Sequence, residues 1–291
     1  MRRLLYPLLV GGPLAGAVIA LGRGVPAEAV VPAASVVTAV LLVVLERLRP
    51  YSAAWASGHG DLGTDALYGL TTALGGGLLL RVVPPSTVLG LLSRSPAVGW
   101  GLWPSRAPLL AQAALAALAM ELFQYGLHRA MHRVPWLWRL HAIHHSAPRV
   151  YWLNALRMHP LDALLSSLAF AVPVLLGAGP EPLAVASVLF GVHALLQHAN
   201  VQLEVGPLNW IFSSPDLHRW HHSPLRSESE GNYGGALICW DLLFRTRLAP
   251  ARPPPEEVGL EALPDFPTRW LAQVLAPFRS GPWRRGPDPD R

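Results

Sequence analysis

Long apolar runs separated by short polar words set the pattern of this chain. A membrane-crossing helix needs about 20 mostly apolar residues, and six stretches read this way: 4–21, 29–45, 66–91, 107–127, 161–179 and 182–200. The fourth is the cleanest, with no charge from Ala107 to Met120. The third is interrupted by Gly75-Gly76-Gly77 and Pro84-Pro85, which predicts a shorter helix ending at Arg81 and an interfacial piece after it. The first follows Arg2 and Arg3 and contains Pro7, Gly11, Gly12 and Pro13. It reads as a retained membrane segment or a re-entrant hairpin rather than a cleaved signal peptide.

These runs predict an orientation. With Arg2 and Arg3 in the cytoplasm, the second segment returns to that side at Glu46-Arg47-Leu48-Arg49, and the fourth at His128-Arg129. The loop 128–160, with Arg129, Arg133, Arg139, Arg149 and Arg157, is then cytoplasmic, as the positive-inside rule favours. Segments five and six form a hairpin turning near Gly177–Pro182, which brings the chain back to the same face. Trp136, Trp138, Trp152 and Trp210 flank the runs as an interfacial aromatic belt would.

Composition agrees with a membrane protein. Of 291 residues, 52% are hydrophobic and 14% charged, against about 25% charged in soluble domains. The net charge of +5 comes entirely from arginine, there being no lysine. The arginines stand at the ends of apolar runs, which suits phospholipid headgroups rather than nucleic acid. The single cysteine, Cys239, excludes an internal disulfide framework and a cysteine-based zinc finger, and reads as a small buried apolar residue. The 29 prolines and 26 glycines fit broken helices and interfacial turns.

Chemistry is concentrated in histidine. Eleven of the twelve histidines lie between His128 and His222. Eight form three blocks: His128-Arg-Ala-Met-His132, His141-Ala-Ile-His144-His145 and His218-Arg-Trp-His221-His222. Spacings of i, i+3 and i+4 put each block on one face of a helix, and the predicted topology puts all three blocks on one side of the membrane. His159, before the fifth segment, and His198, at the end of the sixth, are placed to reach the same site. His193 lies more than a turn deeper, either a ligand or a hydrogen-bonded helix residue, and His59 reads as a loop residue.

Clustered imidazoles bind transition metals without help from cysteine. Eight or more ligands exceed the needs of one ion, so two ions are expected. Zinc hydrolases usually combine three protein ligands with a carboxylate base. The blocks contain no carboxylate, the nearest being Glu121, Asp162 and Asp216, so iron is favoured and a zinc metallohydrolase acting on a lipid or peptide bond is the alternative. Asp216 and Asp241 are expected to orient imidazoles through their other N–H. Asn154, Asn200 and Tyr233 are plausible polar positioners or ordinary turn residues.

Taken with their neighbours, these blocks resemble the fatty acid hydroxylase/sterol desaturase superfamily of integral-membrane di-iron enzymes. The matching words are His128 to His132, Trp138-Arg-Leu-His141 to Ser146, Asn154 to Pro160, Gln197-His198-Ala-Asn200, Pro215 to His222, Asn232-Tyr233-Gly234 and Trp240-Asp241-Leu-Leu-Phe244. The resemblance implies an all-α, polytopic membrane protein with a cytoplasmic, histidine-rich helical cap holding a dinuclear metal site. It implies two irons, replaceable by zinc in purified protein, on His128, His132, His141, His144, His145, His218, His221 and His222, with His198 and His159. It implies O2-dependent hydroxylation or desaturation of a sterol, hopanoid, carotenoid or fatty acyl lipid, in the plasma (inner) membrane. It implies a separate electron donor, cytochrome b5-like or a ferredoxin and reductase. The expected divisions are membrane segments over 1–58, the catalytic domain over 59–248 and a Pro/Arg-rich, loosely ordered tail over 249–291.

Overall fold

The apolar runs fold as helices. The computed structural model describes residues 2–82, 102–260, 263 and 265–279. Residues 83–91 of the third expected segment and the tail end, 280–291, lie outside the described residues. The helices are α1 (Arg2–Gly22), α2 (Ala27–Leu48), α3 (Leu62–Val82), α4 (Leu109–Arg133), α5 (Pro135–His145), α6 (Pro160–Ser167), α7 (Ala171–Leu175), α8 (Pro180–His198), α9 (Pro215–His221), α10 (Arg226–Ser229), α11 (Cys239–Leu243) and α12 (Trp270–Leu275). Among the described residues there is no strand, only an isolated bridge between Phe212 and Leu237.

Among the described residues three helices, α1, α2 and α4, are long and apolar enough to cross a membrane. Helix α1 runs unbroken through Pro7 and Pro13, and α2 through Pro32, so the first segment is one helix rather than a re-entrant hairpin. Prolines of this kind are tolerated where neighbouring groups satisfy the freed carbonyls. The fifth expected segment is instead broken into α6, a 3-10 turn at Leu168–Phe170, and α7.

Helix α8 is the hub, packed by α1, α2 and α4. Its Val185, Ala186, Val188, Val192, Leu195 and Leu196 are buried, whereas Leu4, Leu8, Ile19, Val36, Val37 and Val40 of α1 and α2 point outward. Lipid is as apolar as leucine, so close packing and hydrogen bonds hold such helices together. Gly191 shows the first of these: a Cβ there would stand 3.3 Å from Ser35 Oγ on α2. His193 shows the second. Its Nδ1–H donates to Leu189 O at 2.9 Å and its Nε2 accepts from Tyr6 OH at 3.1 Å, pinning α1 to α8.

Three arginines expected at the headgroups are buried instead. Arg149 forms a bidentate pair with Asp61 at 2.8 Å, Arg157 meets Asp65 at 2.5 Å, and Arg219 meets Asp216 at 3.0 Å. Arg219 also donates to Ala199 O and Val201 O and lies over the Tyr51 ring. A buried guanidinium is tolerable only when it is paired and hydrogen-bonded in this way. These pairs stitch the loop after α2 and the start of α3 to the segments that carry the histidines.

Beyond Leu248, where composition suggests a loose tail, the described residues are tied back. Pro254 O accepts from Tyr51 OH, Glu256 accepts from Ser52 Oγ and Trp55 Nε1, Gly259 N donates to His222 O, and Thr268 O accepts from Thr64 Oγ1.

Candidate metal centre

Four helices deliver histidines to one place. Helix α4 continues past its apolar part and carries His128 and His132 one turn apart. A proline in its first turn starts α5, which holds His141, His144 and His145 near its end. Helix α8 ends at His198. Ser214 caps α9 by accepting from Leu217 N, and α9 presents His218 and His221, with His222 at its C-cap.

The blocks do not act as units. His128, His132, His141, His145 and His221 form one group, and His144, His198, His218 and His222 another, with the ligand atoms of each group within 4.8 Å of one another. Each H-x-x-H-H block is divided. The i, i+4 pair His141/His145 serves the first group while His144 serves the second; the pair His218/His222 serves the second while His221 serves the first. Residues four apart share a helix face, and an adjacent residue points about 100° away. The exchange couples the two groups, and the rings of His145 and His222 stack between them at 4.5 Å.

Outer partners fix which nitrogen faces inward. His128 Nδ1 donates to Tyr233 O at 2.8 Å, His141 Nδ1 to the Asp162 carboxylate at 2.9 Å, His144 Nδ1 to Arg157 O at 3.3 Å and His221 Nδ1 to Gly231 O at 2.8 Å. His198 Nδ1 donates to Asn154 Oδ1 at 2.9 Å, and Asn154 is oriented by giving its Nδ2 to Arg149 O. With Nδ1 protonated, Nε2 of each ring is a bare lone pair. Yet Nε2 of His128 lies 3.0 Å from Nε2 of His141, while in the second group Nε2 of His218, whose Nδ1 has no hydrogen-bond partner among the described residues, lies 2.9 Å from that of His198 and 3.1 Å from that of His222. The lone pairs of His128 and His141, so close, repel unless a cation sits between them, and burial disfavours supplying it as an extra proton. The buried Nε2 atoms of His145 and His221 have no hydrogen-bond partner among the described residues. The donor sets therefore fit two metal ions, one per group.

Electrostatics keeps the rings ready for metal. Burial, reinforced by neighbouring imidazoles, pushes His144 down to about 3. The same causes hold His145, His218, His221 and His222 well below the ordinary histidine value. Neutral imidazole is the ligand form. Neither group includes a carboxylate or a thiolate, and all-imidazole donors suit iron, zinc, copper or nickel.

The remaining expected residues sit further out. His159 is in neither group: its Nδ1 accepts from Leu161 N as the N-cap of α6 and its Nε2–H donates to Val274 O. Asp241 touches no imidazole but accepts from Tyr233 N and Gly234 N, so it holds the backbone whose carbonyl receives His128. The Tyr233 ring lies edge-on to His128, His132 and His221. Asp216 pairs with Arg219, and Asn200 brackets the backbone of Ser52. His193 is the hydrogen-bonded helix residue described above. His59 is exposed in its loop, and Cys239 is half-buried.

Two carboxylates have roles that the histidine spacing does not signal. Asp162, in the first turn of α6, orients His141. Glu121, fully buried on α4, accepts from the backbone N–H groups of Gly235, Ala236 and Leu237 at 2.5, 2.8 and 2.9 Å, and so braces the loop after Tyr233. A charged residue inside an apolar helix was the available signal for Glu121.

Comparison with known proteins agrees with this geometry. The family model described as fatty acid hydroxylase matches residues 113–246, which include every residue of both histidine groups. An ornithine lipid hydroxylase of Rhizobium tropici is 33% identical over 245 residues, covering 83% of this chain and 73% of the relative. The human alkylglycerol monooxygenase is 34% identical over 131 residues, covering 45% of this chain and 29% of the relative. Methylsterol monooxygenase 1 of Danio rerio is 28% identical over 150 residues, half of each chain. No solved structure matches. With its apolar helices and paired histidine groups, the chain is an integral membrane enzyme and belongs to the fatty acid hydroxylase family, within the fatty acid hydroxylase/sterol desaturase superfamily of lipid-modifying oxidoreductases.

Proposed function

We propose that this protein is a di-iron lipid hydroxylase: lipid C–H, O2, two electrons and two protons give lipid C–OH and water. The observation that carries the reading is the convergence of nine buried imidazoles into two all-nitrogen groups at the ends of apolar helices. The ligands are His128, His132, His141, His145 and His221 for one iron, and His144, His198, His218 and His222 for the other. His159 is left out because both its ring nitrogens are engaged elsewhere. When bound, iron supplies the activation of O2 and the oxidation of the C–H bond.

The chain's own part is positioning. Tyr233 O, Asp162, Arg157 O, Asn154 and Gly231 O fix the imidazoles so that Nε2 points inward, and the buried cage keeps bulk water from the reacting carbon. The relatives' names favour hydroxylation over desaturation, and the relative that covers most of the chain favours a lipid with an amino-acid headgroup. The cage faces the cytoplasm of the plasma (inner) membrane, where a separate cytochrome b5-like or ferredoxin-type donor delivers electrons.

The test is lipid mass spectrometry of a host with and without the gene, grown under isotopically heavy O2, beside a His144→Ala control. The expected result is a lipid class carrying one heavy oxygen only with the intact gene. No O2-dependent change in any lipid class would overturn the reading.

A further inference from the structure

At the end of α2 lies a cavity of about 400 Å³, walled by Glu46 and Arg47 and by Trp55, Arg149, Trp152 and Asn200. Its wall is linked to the second histidine group along the chain. Asn200 is two residues past His198, and Trp152 is two residues before Asn154, the residue that orients His198.

The charged groups of this wall differ in what they have left to offer. Arg149 is spent on the protein: Nε and Nη2 go to Asp61, Nη1 goes to Trp55 O and Ser57 O, and its face covers the Tyr151 ring. Glu46 uses one oxygen only. Its Oε1 accepts from Trp152 N at 2.8 Å and Asn200 N at 2.9 Å, which fixes the carboxylate between the Asn154 turn and the end of α8. Among the described residues no donor reaches Oε2. The adjacent Arg47 is exposed and makes no hydrogen bond or ion pair among the described residues.

A rigidly held carboxylate with one open oxygen, next to an uncommitted guanidinium at the end of a membrane helix, complements a ligand carrying both an ammonium and an acid group. The geometry points to this cavity as the headgroup site for an amino-acid lipid, with Glu46 Oε2 receiving the ammonium and Arg47 the carboxylate. This assignment rests on the lipid hydroxylase reading. Ethanolamine phospholipids share the ammonium but offer a phosphodiester in place of a free carboxylate, so they separate the two contacts. Tryptophan and the aliphatic part of Arg47 supply the apolar rim on which a headgroup's methylene chain rests.

The experiment uses the metal-loaded full chain in phosphatidylcholine nanodiscs and measures binding by native mass spectrometry. The probes are an N-acylornithine lipid, its amine-acetylated form, its carboxyl methyl ester and phosphatidylethanolamine. Wild type is expected to hold the free ornithine lipid roughly tenfold tighter than either capped form, and tighter than phosphatidylethanolamine. Glu46→Gln keeps the acceptor for Trp152 N and Asn200 N, so metal content and melting temperature stay at wild-type values while preference for the free amine disappears. Arg47→Gln removes preference for the free carboxylate. Equal wild-type binding of free and capped lipids overturns the site, as does an unchanged preference in Glu46→Gln, or loss of binding in that variant accompanied by loss of metal. Phosphatidylethanolamine bound as tightly as the ornithine lipid overturns the role given to Arg47. Intact lipid hydroxylation without headgroup preference defeats this inference alone; absence of hydroxylation of every lipid class defeats the hydroxylase reading instead.

Discussion

Nε2 of His128 lies 3.0 Å from Nε2 of His141, while the Nδ1 of each ring is committed to an oxygen acceptor, Tyr233 O or the Asp162 carboxylate. Two neutral rings so oriented oppose lone pair to lone pair. The arrangement is costly as an empty cage and favourable around a cation, and four separate segments, α4, α5, α6 and the turn at Tyr233, are needed to enforce it.

Asp162 is the acceptor in that arrangement most open to test. Asp162→Asn keeps the size but removes the charge that fixes the His141 tautomer. Loss of such an outer partner typically weakens metal affinity about 10–100-fold. Metal analysis after dialysis against a graded chelator is expected to show the first group emptying earlier than in wild type. Retention equal to wild type would remove Asp162 from the centre.

Glu121 braces the loop that carries the Tyr233 carbonyl. Glu121→Ala leaves three backbone N–H groups without their acceptor in a buried site, at about 2–4 kcal/mol in all. Thermal unfolding in detergent is expected to shift down sharply, with metal content falling as well. A variant as stable as wild type would mean that the loop is held by other contacts.

Acid should destabilise the metal-free protein in a defined direction. His144 is lowered to about 3 by burial, and His145, His218, His221 and His222 are lowered too, whereas unfolded histidine titrates near about 6.5. Below that value the unfolded state binds more protons, so the contribution is full above about pH 6.5 and is lost as pH falls toward about 3. Melting temperatures of chelator-stripped protein between about pH 7.5 and pH 5 should fall steadily with acidification. A flat profile would contradict a neutral, buried cage.

His193 and His159 serve as the contrast. Tyr6→Phe removes the hydroxyl that His193 accepts, and is expected to cost about 1 kcal/mol of stability with metal content unchanged. His159→Ala should also keep full metal content while loosening the segment at Val274, read as faster proteolysis beyond residue 260. Metal loss in either variant would redraw the ligand set.

Much of the centre is legible in the sequence. Spacing alone placed His128 with His132, and the position of His198 at the end of its apolar run marked it for the same site. The division of each H-x-x-H-H block was not legible, because whether His144 turns from His145 toward a second ion depends on where α8 and α9 lie, which local periodicity does not encode. Backbone acceptors such as Arg157 O and Gly231 O have no residue-type signature. Arg149, Arg157 and Arg219 looked like headgroup contacts because their partners Asp61, Asp65 and, for Arg219, the carbonyls of Ala199 and Val201 are distant in sequence or belong to the backbone. Their burial emerges only from tertiary pairing.

Iron stoichiometry is the most direct test of the centre. Protein purified anaerobically from iron-replete cells should contain close to two irons per chain, and His218→Ala, which strikes only the second group, should retain close to one. Zinc in place of iron, or no bound metal in folded wild-type protein, would contradict the account.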